Sequence, residues 1–505
     1  MAANVDDICR SLETTTLSTD VLSTLVELKA ALSSVRTINL HTVVSVSSVQ
    51  KLFGLLNTDD GEIIEECCSI LKNVLLAWSP AVGLDLFKND FDIGLKHPST
   101  TIQCLCLRQL ELAGEDDQTL LNWDSARDVI KTVISLIASP SLQVAKHAQN
   151  VILNISRTND GVDFIYSSEM LSSLQEVLQT DDTVKFRVYE LIVHISKVSE
   201  SALQKTRESG LLQLLLNEIH KDDILSQLNC LELLSDLGMV EHGIVFLDGA
   251  GIIKQIETLL STSSTDPMGG LLLPGLIKFF GGVAYFYPKE VFNGNKTFVN
   301  LLLRNLTSED KNLCSISVQT IGLIAKTIEG KLALEKLGNM FIDGLQTIGK
   351  MVKQAPSDLR EIALHTTANL IHIPVPEQTS DNCKLSEKWF DHLDPNMLQI
   401  IMSIARQPFP ELRHSSHSVL SALALIPWGQ KRLCEFPGFN EYLLDRSTEK
   451  SKEAKESKYE IVRTLAESPT SMDIFGSPYI VQLKAYFLQG PIYVQTESQV
   501  AFEGD

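Results

Sequence analysis

The chain is 505 residues long, 44% apolar and only 6% aromatic, and its 43 Lys and Arg face 63 Asp and Glu, a formal charge of −20. That apolar content offsets the entropy of ordering the chain and excludes wholesale disorder. The acidic excess repels phosphate backbones and anionic leaflets, and no basic patch relieves it, so nucleic acid and membrane surfaces are excluded as partners.

The start, MAANVDDICRSLETT, has neither the basic residues nor the apolar block of a secretory leader. The nine cysteines, scattered among apolar residues, therefore read as reduced thiols of a cytoplasmic or nuclear protein. Residues 1–44 show helical periodicity without a clean copy of any repeat, as an N-terminal helical cap does. From residue 45 to 480 the chain repeats itself. Apolar residues at a four-three-four spacing first occur at Ile63, Cys67, Ile70 and Val74, a narrow stripe on one helix face.

The stripe returns at Val144, Ala148, Val151 and Ile155, and forty residues later at Val184, Val188, Leu191 and Ile195. A third copy begins at Ile224, Leu228 and Leu231 and is broken by Ser235. A shorter helix precedes each copy: Ile130, Ile134 and Ile137; Met170, Leu174 and Val177; Leu211, Leu214 and Leu215. The joints Ser139-Pro140-Ser141, Asp181-Asp182-Thr183 and Lys221-Asp222-Asp223 supply side-chain oxygens that cap the next helix. Helix, capped turn, helix at a forty-residue period predicts an all-α, armadillo/HEAT-type, right-handed superhelical solenoid.

Further on, Gly269–Pro288 (GGLLLPGLIKFFGGVAYFYP) is apolar enough for a membrane span, but Pro274 and Lys278 at its middle favour a buried helix pair. It sits in a Pro/Gly-rich stretch, 261–296, that reads as an insert. The stripe resumes at Cys314, Val318, Ile321 and Ala325, and again at Leu412, Ser416, Val419 and Leu423. Between them, 372–396, with Pro374, Pro376 and Pro395, reads as a long connection. Glycines follow several long helices (Gly161, Gly243, Gly330, Gly429), often with another eight or nine residues on (Gly251, Gly338, Gly438), and read as left-handed residues ending helices. Residues 481–505 read as a C-terminal helix with a frayed tail.

Sites of chemistry are hard to find. No phosphate-cradling glycine loop and no G-x-S-x-G elbow occurs. His414 and His417 share a helix face but lack a third metal ligand nearby, and Cys104-x-Cys106 and Cys67-Cys68 lack C-x-x-C spacing. The expectation is a non-enzymatic, cofactor-free protein-binding module, monomeric when free. It does not read nuclear signals as armadillo import receptors do: four residues after Trp78, Trp123, Trp389 and Trp428 stand Val82, Arg127, Leu393 and Arg432, not asparagines.

Four blocks, VKFRVYELIVHIS (184–196), TDPMGGLLLPGLIKFFGGVA (265–284), QPFPEL (407–412) and IFGSPYIVQLKAYFLQGPIYV (474–494), resemble in order and spacing the 26S proteasome non-ATPase regulatory subunit 5 family. The resemblance implies an assembly chaperone of the regulatory-particle base. It would bind the C-terminal domain of an ATPase subunit, in a module with a second ATPase and the large non-ATPase scaffold subunit, and leave before the particle is complete. The alternative is a protein-interaction adaptor of another pathway, a ligase or phosphatase scaffold on the same fold.

Helical geometry alone suggests a contact surface. With the stripes facing the core, one flank carries His147, Asn150 and Asn154, with Arg157 just beyond, and the next repeat adds Arg187, Glu190 and His194. Stacked, these form a polar ladder that either meets a partner or is an ordinary solvated face. In the third copy the flank turns apolar at Cys230, Leu234 and Leu237, so either the groove changes character or the register shifts.

Overall fold

The computed structural model describes residue 8 and residues 18–33, 44–115, 126–221, 223–263 and 269–492, and every regular element among them is helical. Much of the expected N-terminal cap, the cap candidate Asp222, Trp123 and the expected frayed tail from 493 on lie outside the described residues. The chain forms two compact units, Met1–Lys221 and Asp222–Asp505, and each is a stack of armadillo/HEAT-type repeats.

In the first unit the long helices Gly61–Val74, Thr100–Glu115, Leu142–Ile155 and Asp182–Val198 pack side by side in one row. The second unit builds its row from Ile224–Leu237, Leu273–Phe286, Lys311–Ile324, Ser357–Ile371, Pro410–Leu425 and Lys452–Glu467, closed by Ser477–Gln489. The four-three-four stripes are what face the core. Ile63, Cys67, Ile70 and Val74, then Val144, Ala148, Val151 and Ile155, then Val184, Val188, Leu191 and Ile195 are all buried. So are Cys314, Val318, Ile321 and Ala325, and Leu412, Ser416, Val419 and Leu423. Each buried aliphatic side chain contributes about 1.5–3 kcal/mol, and no repeat accumulates enough of them without its neighbours. The joints cap as their residue types suggest: Ser141 accepts from the Val144 amide, Asp181 from Val184, and Asp223 from Leu225 and Ser226.

The repeat holds one helix more than the sequence reading gives it. Between Leu142–Ile155 and Asp182–Val198 lie both Asn159–Ile165 and Ser168–Leu178, and between Lys311–Ile324 and Ser357–Ile371 lie Ile328–Glu335 and Asn339–Gln354. The extra helices Asn159–Ile165 and Ile328–Glu335 make only about two turns, too few for a hydrophobic period to register. The third copy also differs in detail. Leu214 is 42% exposed while Leu212 and Leu216 are buried, and Cys230, Leu234 and Leu237 are core positions together with Leu231. The apolar flank expected there is the core stripe itself, read one position out of register.

The glycines fall into two classes with different physical reasons. Gly251, Gly338 and Gly438 have φ of +70°, +59° and +77°, the left-handed turn expected of them. Gly161, Gly243, Gly330 and Gly429 do not end helices. They lie inside the short ones, where a Cβ would come to 1.8, 2.0, 1.9 and 2.3 Å from the backbone oxygens of Ile155, Leu237, Ile324 and Leu423, each near the end of the preceding long helix. Only a residue without Cβ lets the short helix cross that close.

The two stretches read as departures from the repeat are parts of it. Within 261–296, the helix Leu273–Phe286 takes its place in the row between Ile224–Leu237 and Lys311–Ile324, burying Leu276, Ile277, Phe279, Phe280, Val283 and Ala284. Gly281 lies so close to Thr320 that a Cβ would meet its Cγ2 at 2.7 Å, and Lys278 points outward, 3.5 Å from Glu232. Residues 372–396 hold a 3-10 turn, Val375–Glu377, and a full helix, Ser380–Leu393, which buries Trp389. Pro374 and Pro376 bend the chain into that helix rather than preventing it.

Candidate partner-binding surface

The seven residues of the expected ladder sit on or just beyond neighbouring long helices, but most of their polar groups are bonded within the protein. The hub is Glu111, on Thr100–Glu115, with only 1% of its surface exposed. Its carboxylate accepts from Asn150 Nδ2 at 2.8 Å, pairs with His147 Nδ1 at 2.9 Å and takes Arg108 Nη1 at 2.7 Å. Asn154 Nδ2 donates to the Glu111 carbonyl at 3.0 Å. A buried carboxylate survives only when so surrounded by donors, and here the donors come largely from the next repeat. His147, Asn150 and Asn154 thus join two long helices.

One repeat further, Gln149 Nε2 donates both to the Arg187 carbonyl at 2.9 Å and to Glu190 Oε2 at 3.0 Å. The Arg187 guanidinium turns away from the ladder and donates to the Ile137 and Ser139 carbonyls, at 3.0 and 2.8 Å, where Arg127–Leu136 ends. Carbonyls at a helix end have no partner within their own helix, and a cation at a helix C-terminus also meets the negative end of its dipole. Glu190 has Lys146 at 3.6 Å as well. His194 is half-buried, and Arg157 is exposed past the end of its helix. Among the seven, Arg157 is the one whose charge stands outward.

The residues that organise this surface, Glu111 and Gln149, are absent from the sequence-based set. Their signal is a polar side chain inside an apolar stripe: Glu111 beside Leu107 and Leu110, Gln149 beside Ala145, Ala148 and Ile152.

In the second unit His414 and His417 are not used as a pair. His417 is buried with both ring nitrogens occupied, Nδ1 with Ser457 Oγ at 2.8 Å and Nε2 with Tyr442 Oη at 2.7 Å. His414 is exposed and faces His365, their ring centroids 6.5 Å apart. Burial, with Lys458, Arg413 and His414 nearby, lowers the His417 pKa to about 3. Glu449, 4.0 Å away, is held by Arg413. The imidazole is therefore neutral when folded and titrates near its ordinary value when unfolded. A folded pKa below the unfolded one gives stability that is present above about pH 6.5 and is lost as pH falls toward 3. At 1.36 kcal/mol per pH unit, acidification from 6.5 to 5 should cost about 2 kcal/mol through this group. His417→Gln is expected to be less stable than wild type at pH 7.5, with that deficit about 2 kcal/mol smaller at pH 5, as measured by denaturant titration at both values.

The chain is similar over its whole length, residues 1–505, to the family described as Proteasome non-ATPase 26S subunit. Its relatives include proteins named 26S proteasome non-ATPase regulatory subunit 5. The one from Homo sapiens is 35% identical over 454 residues, 90% of each chain. That from Bos taurus is 35% identical over 478 residues, 94% of this chain and 95% of its own, and that from Drosophila melanogaster 25% identical over 74% of this chain and 72% of its own. In fold, a solved structure of importin beta superimposes with a TM-score of 0.61 at 14% identity, covering 94% of this chain and 58% of that one.

Proposed function

The chain belongs to the 26S proteasome non-ATPase regulatory subunit 5 family, and from that premise we propose that it is an assembly chaperone of the regulatory-particle base. It holds the C-terminal domain of an ATPase subunit, in a module with a second ATPase and the large non-ATPase scaffold subunit, and leaves before the particle is complete. It acts by binding, without catalysis or cofactor, in the cytoplasm or nucleus. The observation that carries this reading is similarity along the full chain to proteins named as proteasome regulatory subunits, on a repeat fold whose long faces suit protein partners. The surface around Arg157 and His194 is the candidate contact in the first unit.

A protein that covers the ATPase domain occupies space the finished particle needs. Binding and completion then oppose each other by the same coupling free energy. In size-fractionated cell extract the chain should travel with a base ATPase in small complexes and be missing from doubly capped, peptide-cleaving particles. Full amounts in those particles would replace the chaperone reading with that of a permanent subunit, and complexes without proteasomal ATPases would favour a ligase or phosphatase adaptor.

A further inference from the structure

In the second unit a groove of about 640 Å³ runs across three consecutive long helices, Ser357–Ile371, Pro410–Leu425 and Lys452–Glu467, and ends at Lys326, just past the end of the neighbouring Lys311–Ile324. Ala368, Ser418, Ser421 and Ala422 line it, and their small side chains leave it open. Packed helices lie about 8–10 Å apart, so three intervals make a path of roughly 27 Å, the span of about eight extended residues at ~3.3 Å each. A compact small molecule does not need a path that long; an extended chain does.

The lining also carries polar groups with nothing of their own to bind. The side chains of Lys326, Asn369, His372 and Ser421 make no hydrogen bond or ion pair among the described residues, although Asn369, His372 and Ser421 are half-buried. An amide at such a place offers a donor and an acceptor, the pair a peptide backbone presents in return. The charge has a direction too. Lys326 and His372 both lie just past the ends of their long helices. Behind His372 is the buried Lys331 amine, bonded to the Asn369 and Leu370 carbonyls at 2.6 and 2.7 Å, its pKa lowered by burial to about 7. The one carboxylate in the lining, Glu460, is paired with Arg463 at 2.7 Å. In a chain of charge −20 this corner offers an acid one exposed cation, Lys326, and an imidazole, His372, whose burial favours its neutral form.

We propose that this groove binds an extended peptide segment bearing an acidic side chain, with Asn369 and Ser421 bonded to the peptide backbone and Lys326 and His372 holding the acid. The site is separate from the ladder of the first unit and stands whether or not the chaperone reading does.

The test uses the full chain and two fluorescein-labelled pools of peptides about nine residues long, one with a fixed central glutamate and one with a fixed central lysine, followed by fluorescence anisotropy. The glutamate pool should bind at least about tenfold tighter, as expected for one well-made charged hydrogen bond. Ser421→Trp, which fills the groove, and Asn369→Ala should each weaken it about tenfold, and Lys326→Glu should reverse the preference, all with unchanged helical spectra and melting temperatures. Equal binding of the two pools overturns the proposal. So does glutamate-pool binding that survives both Ser421→Trp and Lys326→Glu. Displacement by millimolar inorganic phosphate with Ser421→Trp harmless would mark a small-anion site and overturn it equally.

Discussion

Arg187→Glu is expected to lower the unfolding free energy by about 3 kcal/mol, while Arg157→Glu stays within about 0.5 kcal/mol of wild type. The two arginines look equivalent in the sequence, where both fall on the polar flank, and reversing both at once suggests itself as a harmless probe of partner binding. The structure separates them. Arg187 donates to two carbonyls at the end of Arg127–Leu136, at 3.0 and 2.8 Å, and its own backbone oxygen is held by Gln149. Hydrogen bonds made by a charged donor contribute about 1.5–3 kcal/mol each, and glutamate would both forfeit them and set an anion against carbonyl oxygens at a helix C-terminus. Arg157 stands exposed beyond its helix, so reversal there tests the contact surface without disturbing the stack. Denaturant titration of the two single variants decides the matter. If Arg187→Glu unfolds at the wild-type midpoint, the bracing role is wrong and both arginines return to the candidate surface.

The repeat itself was legible because it rests on a period. Val184, Val188, Leu191 and Ile195 recur where the helix turns them to one side, and they are buried for that reason alone. What the sequence concealed has no period. The short helices show too few turns, and their glycines act through a contact with a residue six positions back that no spacing rule encodes. The prolines of 374 and 376 suggested a loop because a proline is read locally, while Trp389, buried and bonded through Nε1 to Glu335 at 2.8 Å, anchors the following residues as a helix. Helical spacing puts the ladder residues on or just beyond neighbouring long helices but does not say where their side chains end. A helical wheel gives the angle of a side chain and not its reach, so it cannot tell that Asn150 ends on Glu111 of the previous repeat or that Arg187 folds back on Ser139. Long polar side chains between stacked repeats are as apt to join the repeats as to meet a partner, and only the distances distinguish the two.

Gly330→Ala should be among the most damaging single methyl groups in the second unit, lowering stability by about 3 kcal/mol or more. The new Cβ would lie 1.9 Å from the Ile324 oxygen and 2.9 Å from Thr327 Oγ1. The oxygen belongs to backbone, so no rotamer change relieves the clash and the helix Ile328–Glu335 must withdraw. That helix cannot withdraw freely. Its next residue, Lys331, is buried and ties the last carbonyls of Ser357–Ile371, and its last, Glu335, holds Lys388 at 2.5 Å and Trp389 at 2.8 Å. One glycine thus sets the distance at which the short helix serves both the long helix before it and the elements after it. Two other glycines serve as controls. Gly338 has open space where its Cβ would be but φ of +59° with ψ of −129°, so alanine there should cost about 1–3 kcal/mol, all of it backbone strain. Gly249 has open space and no positive φ, and alanine should be neutral or stabilise by up to about 1 kcal/mol. Melting midpoints are expected to fall in the order Gly249→Ala, wild type, Gly338→Ala, Gly330→Ala, with hydrogen exchange in Gly330→Ala faster first in residues 328–335 and at the end of Ser357–Ile371. Equal midpoints for the Gly330 and Gly338 variants would mean that the close crossing is not what holds the repeat at its spacing.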